Sequence, residues 1–154
     1  MAAYFFDTSA IVKRYANEIG SAWVQHLADP ALHLAIYLAR ITEVEVTSAI
    51  TRQLRGGSLS AAEAASGLTS FRYDFLHQYQ IVEISPMVTR RATSLVQIYA
   101  LRAYDAVQLA AALELSAERI ALGSVPVQLI SADAALNAAA VAEGLAVDDP
   151  NAHA

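Results

Sequence analysis

The 154-residue sequence is apolar and mildly acidic: 56% of its residues are hydrophobic, 16% are charged, and the net charge is −5. That size and composition describe one domain with a substantial core and exclude a disordered chain. Cysteine is absent, which excludes disulfide staples and thiolate metal sites. The acidic balance argues against indiscriminate nucleic-acid binding but leaves room for a local basic groove.

No stretch reaches the roughly 18 uninterrupted apolar residues of a membrane span. Asp7 interrupts the first apolar run and no basic leader precedes it, so neither membrane insertion nor a signal peptide is expected. The lack of cysteine suits a reducing cytosol, and a cytoplasmic location is the expectation.

The aromatic run Tyr4-Phe5-Phe6 predicts a short buried strand over 3–6, ending on Asp7-Thr8-Ser9. The spacing of Ile11, Val12 and Tyr15 predicts a helix over 9–15. Gly20 interrupts, and a second helix with Trp23, Val24 and Leu27 runs from Ser21 to a stop at Asp29-Pro30. Residues 32–36 read as the second strand. A long helix over about 40–55 closes on Gly56-Gly57. Ser60-Ala61-Ala62-Glu63 is a capping box that opens the next helix, running towards Tyr79. Together they make a helical hairpin.

Residues 81–84 read as the third strand. Pro86 suits the first turn of a helix carrying Ala92, Leu95, Val96 and Tyr99. After a break over 101–103, Tyr104-Asp105 opens a helix that runs through Leu115. Gly123 and Pro126 mark a loop before a fourth strand over 127–130. Asp133 starts a last helix, ending near Glu143-Gly144. Residues 145–147 read as an edge strand and the chain from Asp148 onwards as a tail, so the domain spans 1–150 and 151–154 lie outside it. Strands alternating with helices predict an α/β sandwich with a mostly parallel sheet.

Four acids stand out. Asp7 and Asp133 fall just beyond predicted strands, where parallel α/β sheets bind ligands, and Asp105 opens a helix. Each could equally be a helix cap, worth about 1 kcal/mol. Glu45 lies inside a helix, so capping cannot explain it; Ala49, one turn on, leaves space beside its carboxylate, and Arg52 shares its side. Glu43 points to the opposite side and reads as a solvated or interface charge, but both sides of this helix carry apolar residues and periodicity alone does not settle between the two. Carboxylates brought together repel, and one stays protonated unless a cation joins them. Mg²⁺ and Mn²⁺ are hard ions that take such oxygen ligands. Thr8, Ser9 and Ser131 could orient the acids or cap helices. His26, His33 and His77 lack metal-ligand spacing.

Four segments carry a family resemblance: Phe6-Asp7-Thr8-Ser9-Ala10, then 41–50 (Ile-Thr-Glu-Val-Glu-Val-Thr-Ser-Ala-Ile), Tyr104-Asp105-Ala106-Val107-Gln108-Leu109-Ala110, and Ile130-Ser131-Ala132-Asp133. In this order and spacing they resemble the PIN-domain family, and within it the VapC toxins of bacterial and archaeal toxin–antitoxin pairs. The resemblance implies a three-layer α/β/α domain and an endoribonuclease that depends on one or two Mg²⁺ or Mn²⁺ ions. It also implies structured RNA such as tRNA or rRNA as substrate, a small antitoxin protein as partner, and a homodimer. By motif it places Asp7, Glu45, Asp105 and Asp133 as the metal-binding and catalytic acids.

Lys13, Arg14, Arg52 and Arg102 are candidates for steering RNA phosphates, and Tyr4 and Tyr104 for stacking on bases. The second arm of the hairpin, with Leu68, Phe71, Phe75 and Leu76, suits an antitoxin groove, a dimer surface or the core. Two other readings compete. An aspartyl-phosphate phosphotransferase would commonly carry a second acid two residues after Asp7, where this chain has Ser9. A degenerate domain would bind RNA or a protein without cutting.

Overall fold

A computed structural model describes residues 2–154. Five strands, β1 (Ala3–Phe6), β2 (Ala35–Ala39), β3 (Gln80–Val82), β4 (Gln128–Ile130) and β5 (Val147–Asp148), form one sheet in the order β3-β2-β1-β4-β5. All four pairings are parallel, with Tyr4 opposite both Ile36 and Gln128. From β1 the chain winds outwards through β2 and β3, then returns and winds the other way through β4 and β5. The reversal falls between β1 and β4, the place where open parallel sheets leave a crevice at their carboxyl ends.

Side chains alternate across a strand, and β1 shows the consequence. Phe5 enters one core with Leu129 and with residues of α5 (Pro86–Ile98), α6 (Ala103–Ala121) and α7 (Ala134–Ala142). Phe6 enters the other with Ile36, Leu38, Ile130 and residues of α1 (Thr8–Ile11), α2 (Ser21–Leu27), α3 (Thr42–Arg55) and α4 (Ala61–His77). The expected three-layer α/β/α sandwich is the fold. None of its helices is long and apolar enough to cross a membrane among the described residues.

Two helix starts are where the sequence placed them. Ser60 and Glu63 close a reciprocal capping box on α4, and Pro86 sits in the first turn of α5 behind the Ser85 cap. Phe71 and Phe75 are core residues, whereas Leu76 is exposed. Gly67 lets α4 close onto the segment after α1, since a Cβ there would stand 2.8 Å from the Tyr15 carbonyl oxygen.

Several boundaries differ from expectation, among them the third strand, which is Gln80–Val82 rather than 81–84. The helix expected over 9–15 is α-helical only to Ile11; Val12–Arg14 tighten into a 3-10 turn. The second strand starts three residues later than its apolar run, because Pro30–Leu32 form a 3-10 turn and His33 takes a left-handed conformation, φ 52°. Helix α6 continues to Ala121, and β5 is Val147–Asp148 rather than 145–147. The residues read as a tail are built in: Pro150–His153 form a 3-10 turn, Pro150 is buried, and the His153 ring stacks on Trp23 at 4.1 Å. The Asp149 side chain starts that turn by accepting from the Asn151 N–H.

Candidate active site

The crevice between β1 and β4 holds a cavity of about 250 Å³ whose walls include Asp7, Glu45, Asp105 and Asp133. Four separate elements deliver the four acids, and each is held differently. Asp7 follows β1 and is 4% exposed. Its Oδ1 accepts from the Ala10 N–H at 3.2 Å, so it caps α1, and from the Ser9 hydroxyl at 2.7 Å. Asp133 follows β4 and caps α7, its Oδ1 accepting from the Leu136 N–H at 2.8 Å. Capping and membership of the acid cluster are thus not alternatives at these positions. Asp105 sits in the first turn of α6 but does not cap it; Arg102 occupies the cap position. Glu45 projects from α3, and its Oε1 accepts from the Thr8 hydroxyl at 3.1 Å and from Gln108 Nε2 at 2.9 Å. Glu43 lies on the outer side, exposed and 3.6 Å from Arg40.

Burial dominates the electrostatics of Asp7. Loss of solvent pushes its carboxyl up to about 7; the Ser9 and Ala10 hydrogen bonds oppose this, and the Asp105 charge adds to it. Opposite charge arrives from Arg102, whose side chain is 83% exposed and lies 3.1 Å from Asp105 Oδ2 and 3.6 Å from Asp133 Oδ2. The hydrogen bond to Asp105, with the charges of Asp105, Asp133 and Glu45, raises the Arg102 pKa.

The three expected hydroxyls are all engaged. Ser9 Oγ donates to Asp7 and accepts from the Ala132 N–H at 2.9 Å, joining the two strand-end loops. Ser131 Oγ, fully buried, accepts from the Asp133 N–H at 3.1 Å. Thr8 bonds Glu45.

The expected rim cations divide. Arg52 and Arg102 line the cavity. Lys13 is buried and paired with Glu18 at 3.1 Å, on the wall of a neighbouring cavity of about 490 Å³ that Arg52 also lines. Arg14 is turned away altogether. Its Nη1 donates to Gln78 Oε1 at 2.7 Å and Tyr79 Oη at 2.5 Å, and stands 3.3 Å from Asp74. Both residues lie in the 3-10 turn that follows Ile11. Tyr104, 60% exposed, is at the cavity, whereas Tyr4 packs against the core.

Gln108 and Thr42 complete the site and were not expected. Both are buried, and Gln108 Nε2 reaches Thr42 Oγ1 at 2.9 Å and Thr8 Oγ1 at 3.3 Å as well as Glu45. The signal was a lone amide in the otherwise apolar run 106–113, one helical turn after Asp105.

The donor set suits a hard divalent ion: four carboxylates on one cavity, no sulfur and no histidine. Among the described residues Asp7 Oδ2, Glu45 Oε2 and Asp105 Oδ1 accept no hydrogen bond from the protein. The shell is not closed, however: no three acidic or histidine side chains among the described residues stand together as a ready ligand set.

A model of the PIN domain matches residues 4–142. The chain is 34% identical over 113 residues to Ribonuclease VapC45 of Mycobacterium tuberculosis strain CDC 1551 / Oshkosh, covering 73% of this chain and 76% of that one. The same figures hold for Ribonuclease VapC49 of strain H37Rv. Among solved structures, a toxin-antitoxin complex from Klebsiella pneumoniae superposes with a TM-score of 0.63 at 20% identity, over 96% of this chain and 98% of that one. VapBC2 from Rickettsia felis, bound to a DNA fragment from its promoter, gives 0.62 at 16% identity, over 96% and 98% of the two chains. The chain belongs to the PIN-domain family. Within that family it is of the VapC type.

Proposed function

We propose that this protein is a Mg²⁺- or Mn²⁺-dependent endoribonuclease, the toxin of a toxin–antitoxin pair, acting on structured RNA such as tRNA or rRNA. The observation that carries the reading is the convergence of Asp7, Glu45, Asp105 and Asp133, from four elements, on one cavity at the carboxyl ends of β1 and β4. The two relatives named as ribonucleases support it, and a small antitoxin protein as partner agrees with the complexes of similar fold. A homodimer is part of the proposal.

The four acids would hold one or two ions. A bound ion of this kind lowers the pKa of a water and offsets charge on a phosphoryl oxygen. The chain's own part is placement. Ser9 and the Ala10 N–H hold one oxygen of Asp7 and leave the other without a protein donor; Thr8 and Gln108 do the same for Glu45. A carboxylate oxygen free in this way can take the proton of an attacking water. Arg52 and Arg102 at the rim offer positive charge to the phosphates on either side of the cut.

The test is expression of wild type beside Asp7→Asn, with growth followed and new RNA ends mapped, and the purified proteins assayed with Mn²⁺ and with a chelator. Wild type should arrest growth and generate defined ends, and the variant neither. Equal arrest and equal cleavage by the two would sink the reading. The open ligand shell favours one rival, a domain that binds RNA or a protein without cutting. RNA retained but left whole in the presence of Mn²⁺ would select it.

A further inference from the structure

We propose that Gln108 is a positioning residue for Glu45: its amide fixes which carboxylate oxygen is left for the cavity. The inference rests on the reading of Glu45 as a ligand-bearing acid.

Gln108 is 2% exposed. Its Nε2 has two hydrogens, and the nearest acceptors are Glu45 Oε1 and Thr42 Oγ1, both at 2.9 Å. The Thr8 hydroxyl donates to the same Glu45 oxygen at 3.1 Å. Two donors therefore converge on Oε1, and Oε2 takes none from the described residues. The opposite amide orientation would set an oxygen against the carboxylate, so the acid dictates how the amide points.

The arrangement is costly, which separates it from ordinary packing. Gln108 Oε1 is buried without a partner. An orphaned buried acceptor loses its water hydrogen bonds and gains none in return. The neighbours at 106–113 are apolar, so an apolar side chain would fill the position without that cost. A local rule broken beside a functional cavity is the signature of a residue kept for the site rather than for the fold. The geometry also ties two acids together. Asp105 lies three residues earlier on the same helix face, so α6 places one acid itself and orients another that belongs to α3.

Gln108→Met, of similar length and without the amide, is the test. Partners that orient metal ligands typically contribute 10–100-fold to affinity or activity. The Mn²⁺ dissociation constant, read by calorimetry in the absence of RNA, should rise about 10-fold or more. The kcat for RNA cleavage should fall by a similar factor with KM unchanged, while Tm stays level or rises because the orphan is gone. In a Glu45→Ala background the same change should leave Mn²⁺ affinity where it was. Gln108→Leu serves in the same comparison if the Met variant fails to fold. Wild-type Mn²⁺ affinity in the folded variant, or a loss that persists without Glu45, overturns the inference. A wild type that binds Mn²⁺ yet cuts no RNA removes the nuclease reading and leaves this one standing on affinity. A wild type that binds no Mn²⁺ removes both.

Discussion

Two polar clusters, one around Arg14 and Asp74 and one at the carboxyl ends of β1 and β4, are closed in opposite ways. In the first, Arg14 faces Asp74, and Tyr15 Oη donates to Asp74 Oδ2 at 2.7 Å while also meeting the Tyr79 hydroxyl. Burial raises the pKa of Tyr15 and pushes the Tyr79 hydroxyl up to about 12, so both phenols stay neutral. One positive and one negative charge therefore balance inside a hydrogen-bonded frame. In the second, four carboxylates share a cavity, and the cation beside Asp105 and Asp133, Arg102, is largely in solvent. The first cluster is complete without a ligand. The second keeps an excess of negative charge that the chain does not neutralise, and the proposed metal chemistry is assigned to it on that ground.

The comparison is sharpest when charge is removed from each side. In the folded protein the Asp7 carboxyl titrates near 7, against 3.8 for a free one. This contribution to folding is fully present below about pH 4, is lost progressively as pH rises towards 7, and is gone above it. Asp7→Asn should be more stable than wild type in metal-free buffer at pH 8, by roughly 4 kcal/mol at most, with the gap closing near pH 4. Urea unfolding at the two pH values checks this, and a gap that does not change with pH would contradict it.

The balanced cluster should respond with the opposite sign. Asp74→Ala leaves Arg14 without its partner ion and takes an acceptor from Tyr15. The pair is half-buried, so its loss should cost about 2 kcal/mol, between the values for exposed and buried pairs. Cleavage per folded molecule should not change, and a variant that stays stable but loses activity would show that the two clusters are one system. The smallest effect is expected at Arg102. Arg102→Ala should change stability by less than about 1 kcal/mol, as exposed ion pairs do. It should tighten Mn²⁺ binding and raise KM for RNA. Destabilisation as large as that of Asp74→Ala would erase the distinction drawn here.

Much of this site was legible because strand ends are legible. Asp7 and Asp133 each follow an apolar run in a chain that alternates strands with helices, and the sheet order brings β1 beside β4. Periodicity does not decide between Glu45 and Glu43; the family resemblance favours Glu45, and the structure places Glu45 and Ala49 on one wall. What stayed hidden depends on backbone detail that residue types do not encode. Lys13 and Arg14 follow Asp7 closely in sequence, yet they lie in a 3-10 turn and pair inside the protein with Glu18 and Asp74. The left-handed His33 displaces β2 within an apolar stretch that fits several registers. Gln108 looked like one polar residue on an Ala-rich helix, and its meaning comes from partners 63 and 66 residues away in the chain.

The Ser9 hydroxyl, shared between Asp7 and the Ala132 backbone, has a consequence for how such a site can diverge. It is a rivet through two loops that are 123 residues apart in sequence. A change that lengthens or re-aims the β4–α7 loop moves the Ala132 N–H that donates to Ser9 and so drags on Asp7. The first and last acids are therefore not separate points to be adjusted one at a time. Variation in substrate is freer at Arg52, Arg102 and Tyr104, which line the cavity without being pinned between strand ends.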